Sequence, residues 1–187
     1  MRRKKLLGIF LLVILALSSP TMSIAQAVTV DDVEHLGDYR LKLKFETTAS
    51  KETIWKLWSD VENWKQYDQI IIYSRLDKGQ NFETGATGVV KTTSAPKSKF
   101  KLTEVTQGVS FTERLTTPLW QSIDLLRYFE KSENGNTVVV HEVHFKGALR
   151  WLIYAVAGKP FKKELPRVMN KLKEIAEAQS APAENIE

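Results

Sequence analysis

From Tyr39 to Thr47 apolar and polar residues alternate, with Leu41, Leu43 and Phe45 opposed to Lys42, Lys44 and Glu46. That period of two predicts a half-buried strand. Ser50 then offers an N-cap, and Glu52 places a carboxylate in the first turn, where the helix dipole favours it. Ile54, Trp55, Leu57, Trp58 and Val61 recur at helical spacing, so the segment buries one face. Asp60 offers a second cap for Val61–Gln66, which carries Trp64. Two short helices are expected after the first strand.

Strand signals follow in series. Gln69–Leu76 is apolar and β-branched, and Gly85 and Gly88 introduce a strand at Gly88–Thr93. Phe100–Gln107 and Ser110–Thr116 are joined by a turn at Gly108. Ser122–Glu130 and Thr137–Lys146 are joined by a loop containing Asn134-Gly135, a strong hairpin signal. From Ala148 to Ala178 the period returns to helical, with expected breaks at Gly158-Lys159-Pro160 and Pro166. Leu165, Val168, Met169, Leu172, Ile175 and Ala176 form the stripe of the last helix. The fold class predicted is α+β: a curved antiparallel sheet of about six to seven strands around a long C-terminal helix.

The N-terminus changes the reading of charge. Arg2 to Lys5 are basic, Leu6 to Leu17 are uninterruptedly apolar, and small residues follow around Ala25 and Ala27. This is the order of a secretory signal. The run falls short of the ~20 residues that span a bilayer, which argues against a retained anchor. The expectation is a signal peptide over 1–25 and a periplasmic or extracellular location. The formal net charge of +5 falls to +1 from Gln26 onward, so the chain lacks the basic footprint of a nucleic-acid binder. Cysteine is absent, which removes disulfides, thiol nucleophiles and thiolate ligands. The expected organisation is a lead-in over 26–38, one domain over 39–178 and a tail over 179–187.

With that order of elements, three segments carry a resemblance. They are Phe45 to Trp64 (FETTASKETIWKLWSDVENW), Ser132 to Gly147 (SENGNTVVVHEVHFKG) and Leu165 to Glu174 (LPRVMNKLKE). Together with the Gly85/Gly88 strand entry, they resemble the polyketide cyclase/dehydrase and START-like superfamily, SRPBCC. The resemblance covers residues 39–178 and implies the helix-grip fold. It also implies a hydrophobic ligand, such as a lipid, quinone or polyketide-like molecule, as partner. Members include carriers and enzymes, so fold alone does not choose between them.

The residues expected to line a ligand space are Trp58, Trp64, Tyr67, Phe111, Trp120, Arg127, His141, Phe145, Trp151 and Tyr154, since such sites are mostly apolar and aromatic with a few placed polar groups. Trp55 reads as core. His141 and His144 lie three apart on one strand, so they face opposite sides and cannot share a metal. His141 falls in register with Val139, Val143 and Phe145, facing inward. There it is either an acid/base or carbonyl-orienting group or a core histidine satisfied by a neighbour. Arg127 shares a face with Ile123, Leu125 and Phe129. Either it binds a ligand carboxylate, or a strand edge or bulge turns it to water. Trp151–Phe161 is apolar nearly all round, which reads as a gate touching a membrane or as a buried helix start before a kink. The carboxylates are expected on outer faces.

No nucleophile elbow, zinc motif, P-loop or dinucleotide fingerprint is present. No metal or cofactor is expected, and the chain is expected to be a monomer. Three readings stay open: a carrier of a hydrophobic ligand, a cyclase/dehydrase-type enzyme using His141, and an envelope interaction module with a vestigial cavity.

Overall fold

The computed structural model describes residues 27–29 and 32–181. In chain order the elements are β1 (Glu34–His35), β2 (Arg40–Thr47), α1 (Lys51–Ser59) and a 3-10 helix (Val61–Gln66). Then come β3 (Ile71–Leu76), β4 (Thr87–Thr92), β5 (Ser98–Thr106) and β6 (Ser110–Thr116). A short 3-10 turn (Pro118–Trp120), β7 (Ser122–Glu130), β8 (Thr137–Lys146) and α2 (Arg150–Ser180) complete the order. The strands form one curved antiparallel sheet in the spatial order β1-β2-β8-β7-β6-β5-β4-β3. This is the α+β arrangement expected from the pattern, and it has the helix-grip form that the resemblance implies. The eighth strand is the two-residue β1, inside the lead-in segment, which shows no period because it is so short.

The local chemistry explains the corners. Ser50 Oγ accepts from the Thr53 amide at 3.1 Å, capping α1. Asp60 makes no such capping bond to the 3-10 helix. That helix is held instead by Trp64, whose indole N–H donates to the Trp58 carbonyl at 2.8 Å, and by Ser74 Oγ, which donates to the Val61 carbonyl at 2.6 Å. Gly88 sits where β4 passes Phe100; a Cβ there would run into the Phe100 ring and the Arg75 carbonyl. The lead-in is pinned to α2 by Asn170. Its side chain accepts from the Val28 amide at 2.8 Å and donates to the Val28 carbonyl at 2.7 Å.

The C-terminal helix corrects one expectation. It runs unbroken from Arg150 to Ser180 with Pro160 and Pro166 inside it. Each proline removes one backbone hydrogen bond, freeing the carbonyls of Val156 and Lys162. The burial of Leu165, Met169, Leu172 and Ala176 against the sheet outweighs that loss. Among the described residues no helix is long and apolar enough to cross a membrane. The predicted signal over 1–25 and most of the predicted tail lie outside the described residues.

One turn is strained. Leu119 and Trp120 are consecutive non-glycine residues at φ of 61° and 56°, which costs about 1–3 kcal/mol each. Gln121 fixes them there. Its amide donates to the Leu119 carbonyl at 2.6 Å and accepts from the Leu149 amide at 2.8 Å. Gly147, at φ 110°, leaves room for that side chain.

Candidate functional site

Register brings the inner-face side chains into rows. Arg127 on β7 lies opposite Phe111 on β6 and His141 on β8, and His141 lies opposite Leu43 on β2. The neighbouring rows hold Leu125 with Glu113 and Val143, and Phe129 with Val139. Arg127 and His141 thus sit side by side among mostly apolar neighbours beneath α2, with the Glu113 carboxylate one row away.

An aromatic cluster covers one flank. Trp58 stacks on Phe129 at 4.8 Å and meets Phe111 edge-on at 5.6 Å. Trp55 and Phe82 complete this cluster, and Trp64 lies against Phe100 at 5.6 Å. A second cluster, Phe145, Tyr154, Phe161 and Tyr39, lies toward the opposite end of the strands. Such edge and stacked pairs add about 0.5–1.5 kcal/mol each beyond area burial.

The polar groups between them are unusual for a core. Arg127 Nη1 donates to Glu113 Oε2 at 3.1 Å, and both side chains are buried. The guanidinium also lies 5.0 Å from the Phe111 ring and 5.7 Å from the Trp64 ring, both within cation–π range. Burial lifts the Glu113 carboxyl above the ordinary range, and the charge and hydrogen bond of Arg127 oppose it. Tyr67 is buried nearby; burial raises its phenol, and Arg127 opposes that rise too.

His141 is 4% exposed, and neither ring nitrogen has a hydrogen-bond partner among the described residues. Burial first, and Arg127 second, hold its pKa well below the usual value of 6.5. The ring is therefore neutral at physiological pH, presenting one N–H donor and one bare nitrogen. Trp55 Nε1 is a further buried donor without a partner among the described residues. Chemically, these buried groups of β6, β7, β8 and α1 together offer a neutral base, two unused donors and a cation paired to a carboxylate. That set suits the polar end of an otherwise apolar molecule, or proton transfer at one.

Asp68 borders these groups at the surface. Burial raises its carboxyl from 3.8 to about 6, with Glu113 and Glu164 adding to the rise and Arg127 opposing it. The folded state thus keeps a proton that the unfolded chain has released between those values. The stability this group contributes is complete below about pH 4 and is lost as pH rises toward 6. Asp68→Asn should be more stable than wild type at pH 7, by on the order of 2 kcal/mol. The gap should close at pH 4. Urea melts at both pH values would measure it, and equal stabilities at pH 7 would show a hydrated carboxylate. Tyr67 and Asp68 also line a groove of about 560 Å³ against Glu164, Val168 and Lys171 of α2.

Several expected site residues meet here, and others do not. Trp58, Trp64, Tyr67, Phe111, Arg127 and His141 converge around these polar groups, with Phe145 buried further along the sheet. Tyr154 is half-buried, packed on Phe145, with its hydroxyl 3.3 Å from His35 Nδ1. Trp120 is 95% exposed and Trp151 53% exposed, so both point away from this interior. The left-handed turn throws Trp120 outward, and Trp151 sits on the outer side of α2.

Arg127 does not turn to water: β7 is an inner strand paired in unbroken register on both sides. His141 points inward as expected but is not satisfied by a neighbour. His144 is on the outer face as expected, yet half-buried, with Nε2 2.7 Å from Glu142 Oε2. Glu113 overturns the expectation that the carboxylates lie outside. Of the ten residues expected to line a ligand space, only Tyr67 borders any of the three grooves of about 400–560 Å³ described at the surface. Among the described residues no group of His, Asp and Glu is clustered closely enough to hold a metal ion.

Comparison with known proteins fits this geometry. Residues 40–177 match the model of the family described as polyketide cyclase / dehydrase and lipid transport. The chain belongs to this family. Members are associated with hydrophobic ligands or lipids. No curated protein matches the chain.

Among solved structures, the chain is similar to protein Ms6760 from Mycobacterium smegmatis, at 16% identity and a TM-score of 0.56, over 81% of this chain and 99% of that one. A hypothetical protein, jhp0584, from Helicobacter pylori aligns at 8% identity and a TM-score of 0.60, over 73% and 86%. A protein from Arthrobacter aurescens aligns at 12% and 0.58, over 85% and 99%. At such identities these likenesses speak for the fold alone.

Proposed function

We propose that this family member is an exported carrier, which holds a hydrophobic molecule between the sheet and α2 with its polar end at His141. The observation that carries this reading is the buried, neutral imidazole with two unused ring nitrogens beside Arg127. An unpartnered buried polar group costs about 1–3 kcal/mol, and a ligand hydroxyl, carbonyl or carboxyl would relieve that cost. Opening the groove at Tyr67 and Asp68 would admit the molecule, and transient contact with a membrane surface would supply it. The basic, apolar N-terminal run supports export.

The test is native mass spectrometry of the protein purified without detergent from a cell that exports it. We expect a bound apolar molecule that leaves on unfolding. A ligand-free mass, together with no binding of a fluorescent fatty acid or quinone, would sink the carrier. A recovered molecule that changes mass on incubation would instead favour the cyclase/dehydrase reading, with His141 as base.

The tight packing of Trp55, Trp58, Phe82 and Phe111 favours one second reading, an envelope interaction module with a vestigial cavity. A ligand-free protein with a partner on its exposed apolar patch would be its signature.

A further inference from the structure

One end of the sheet carries apolar side chains that face outward. Leu119 and Trp120 protrude from the β6–β7 turn, and Trp151, Leu152 and Val156 protrude from the first two turns of α2. Antiparallel pairing of Ser122 with Lys146 puts both segments at the same end, and the Gln121 side chain ties them through the Leu149 amide. A strained left-handed turn spends stability to hold Trp120 in this outward pose. Contiguous exposed apolar groups of this kind mark interaction surfaces.

Charge identifies what the surface fits. Between Glu142 and Glu164 the sequence has five basic residues and no acidic one. Lys146 is engaged with Asp124 at 2.9 Å, and Arg150 lies over the Tyr39 ring. Lys159, Lys162 and Lys163 remain, one to two turns further along α2. Leu152, Val156, Lys159 and Lys163 follow one another at helical spacing down a single exposed stripe, apolar first and basic after. The first turn of α2 has no acidic residue, where helices ordinarily favour one. An apolar tip with a lysine collar behind it matches a bilayer with anionic headgroups, the apolar groups entering the acyl boundary and the lysines meeting phosphate.

We propose that this end of the domain, formed by Leu119, Trp120, Trp151, Leu152 and Val156 with Lys159 and Lys163, docks on anionic phospholipid surfaces. The docking residues are distinct from the His141 row, so the inference stands whether or not a ligand is carried.

The test uses the protein as the cell exports it, mixed with vesicles of phosphatidylcholine with or without phosphatidylglycerol, the lipids brominated high on the acyl chain. Trp55, Trp58 and Trp64 are buried, so quenching reads Trp120 and Trp151. Because the indoles themselves report, the result does not depend on whether the N-terminal run has been removed. We expect quenching on phosphatidylglycerol vesicles that is lost in Trp120→Phe/Trp151→Phe. We also expect apparent lipid affinity to weaken about tenfold or more in Lys159→Glu/Lys163→Glu. Unchanged thermal melts would show these surface variants to be folded.

The proposal is overturned by absent quenching, by quenching that persists in the double Phe variant, or by equal quenching on purely zwitterionic vesicles. A concentration-dependent dimer that Trp120→Ser dissolves would overturn it as well. Docking that fails while native mass spectrometry still finds a ligand removes this surface and leaves the carrier intact.

Discussion

Replacing Arg127 by alanine is expected to lower folding stability by about 3–5 kcal/mol, because it strands Glu113 as a buried charge. The two side chains meet 3.1 Å apart, with Glu113 97% enclosed. Among the described residues, Arg127 is the one side chain that the carboxylate bonds to. Without the guanidinium, Glu113 must take up a proton or draw in water. The loss should therefore be greatest at neutral pH and shrink on acidification, since a carboxyl raised by burial is favoured in the folded state only while protonated.

The companion variant is Arg127→Leu/Glu113→Leu, which removes both charges. Buried ion pairs replaced by apolar residues of similar size are often neutral or stabilising by about 1–4 kcal/mol. The double variant should return to wild-type stability or exceed it. Urea unfolding of both variants decides the matter. An alanine variant within about 0.5 kcal/mol of wild type would mean the guanidinium is hydrated and the pair contributes little. If the double variant folds well yet carries no ligand, the pair is kept for recognition rather than for stability.

Much of this site is written in the period-two pattern. His141 shares a face with Val139, Val143 and Phe145, and Arg127 with Ile123, Leu125 and Phe129, so alternation assigns both to the apolar face. For Arg127 only the inner position of β7 in the sheet removes the alternative of an edge or bulge that turns it to water. The same rule applied to Ser110–Thr116 places Glu113 with Phe111 and Leu115, and that signal identifies the partner of Arg127. The pairing itself depends on strand order, because Glu113, opposite Leu125, and Arg127, opposite Phe111, become diagonal neighbours only once β6 and β7 are paired.

Trp120 and Trp151 lie outside the interior, against the expectation from their aromatic character. Aromatic character says that a side chain is costly to expose, not that the fold hides it. Trp120 is put outside by backbone dihedrals that glycine ordinarily adopts, and no residue type in Thr117–Gln121 signals them. Gly158 and Pro160 read locally as a break, but helix continuation is decided by the apolar stripe from Leu165 to Ala176 packing on the sheet. Local breakers lose there to tertiary burial.

His141→Leu should raise stability while abolishing ligand binding, a combination that separates function from packing. The neutral ring leaves one donor and one acceptor unpaired in the interior, and each costs about 1–3 kcal/mol. Leucine fills comparable space with neither group, flanked by Leu43 and the aliphatic part of Arg127. A gain of about 1–2 kcal/mol is expected at pH 7, which for a domain of this size is a rise in Tm of roughly 3–6 °C. The gap should widen as pH falls below 6.5, because the unfolded histidine then takes up a proton that the folded ring refuses. Calorimetry at pH 7 and pH 5.5 reads both effects, and native mass spectrometry of the same protein reads the bound mass. A destabilised variant would mean that the ring nitrogens are satisfied by buried water, whereas a stabilised variant that keeps its ligand would remove His141 from recognition. Greater stability with loss of the ligand is the outcome that only a binding role explains, since a purely structural histidine with two idle nitrogens would give up nothing.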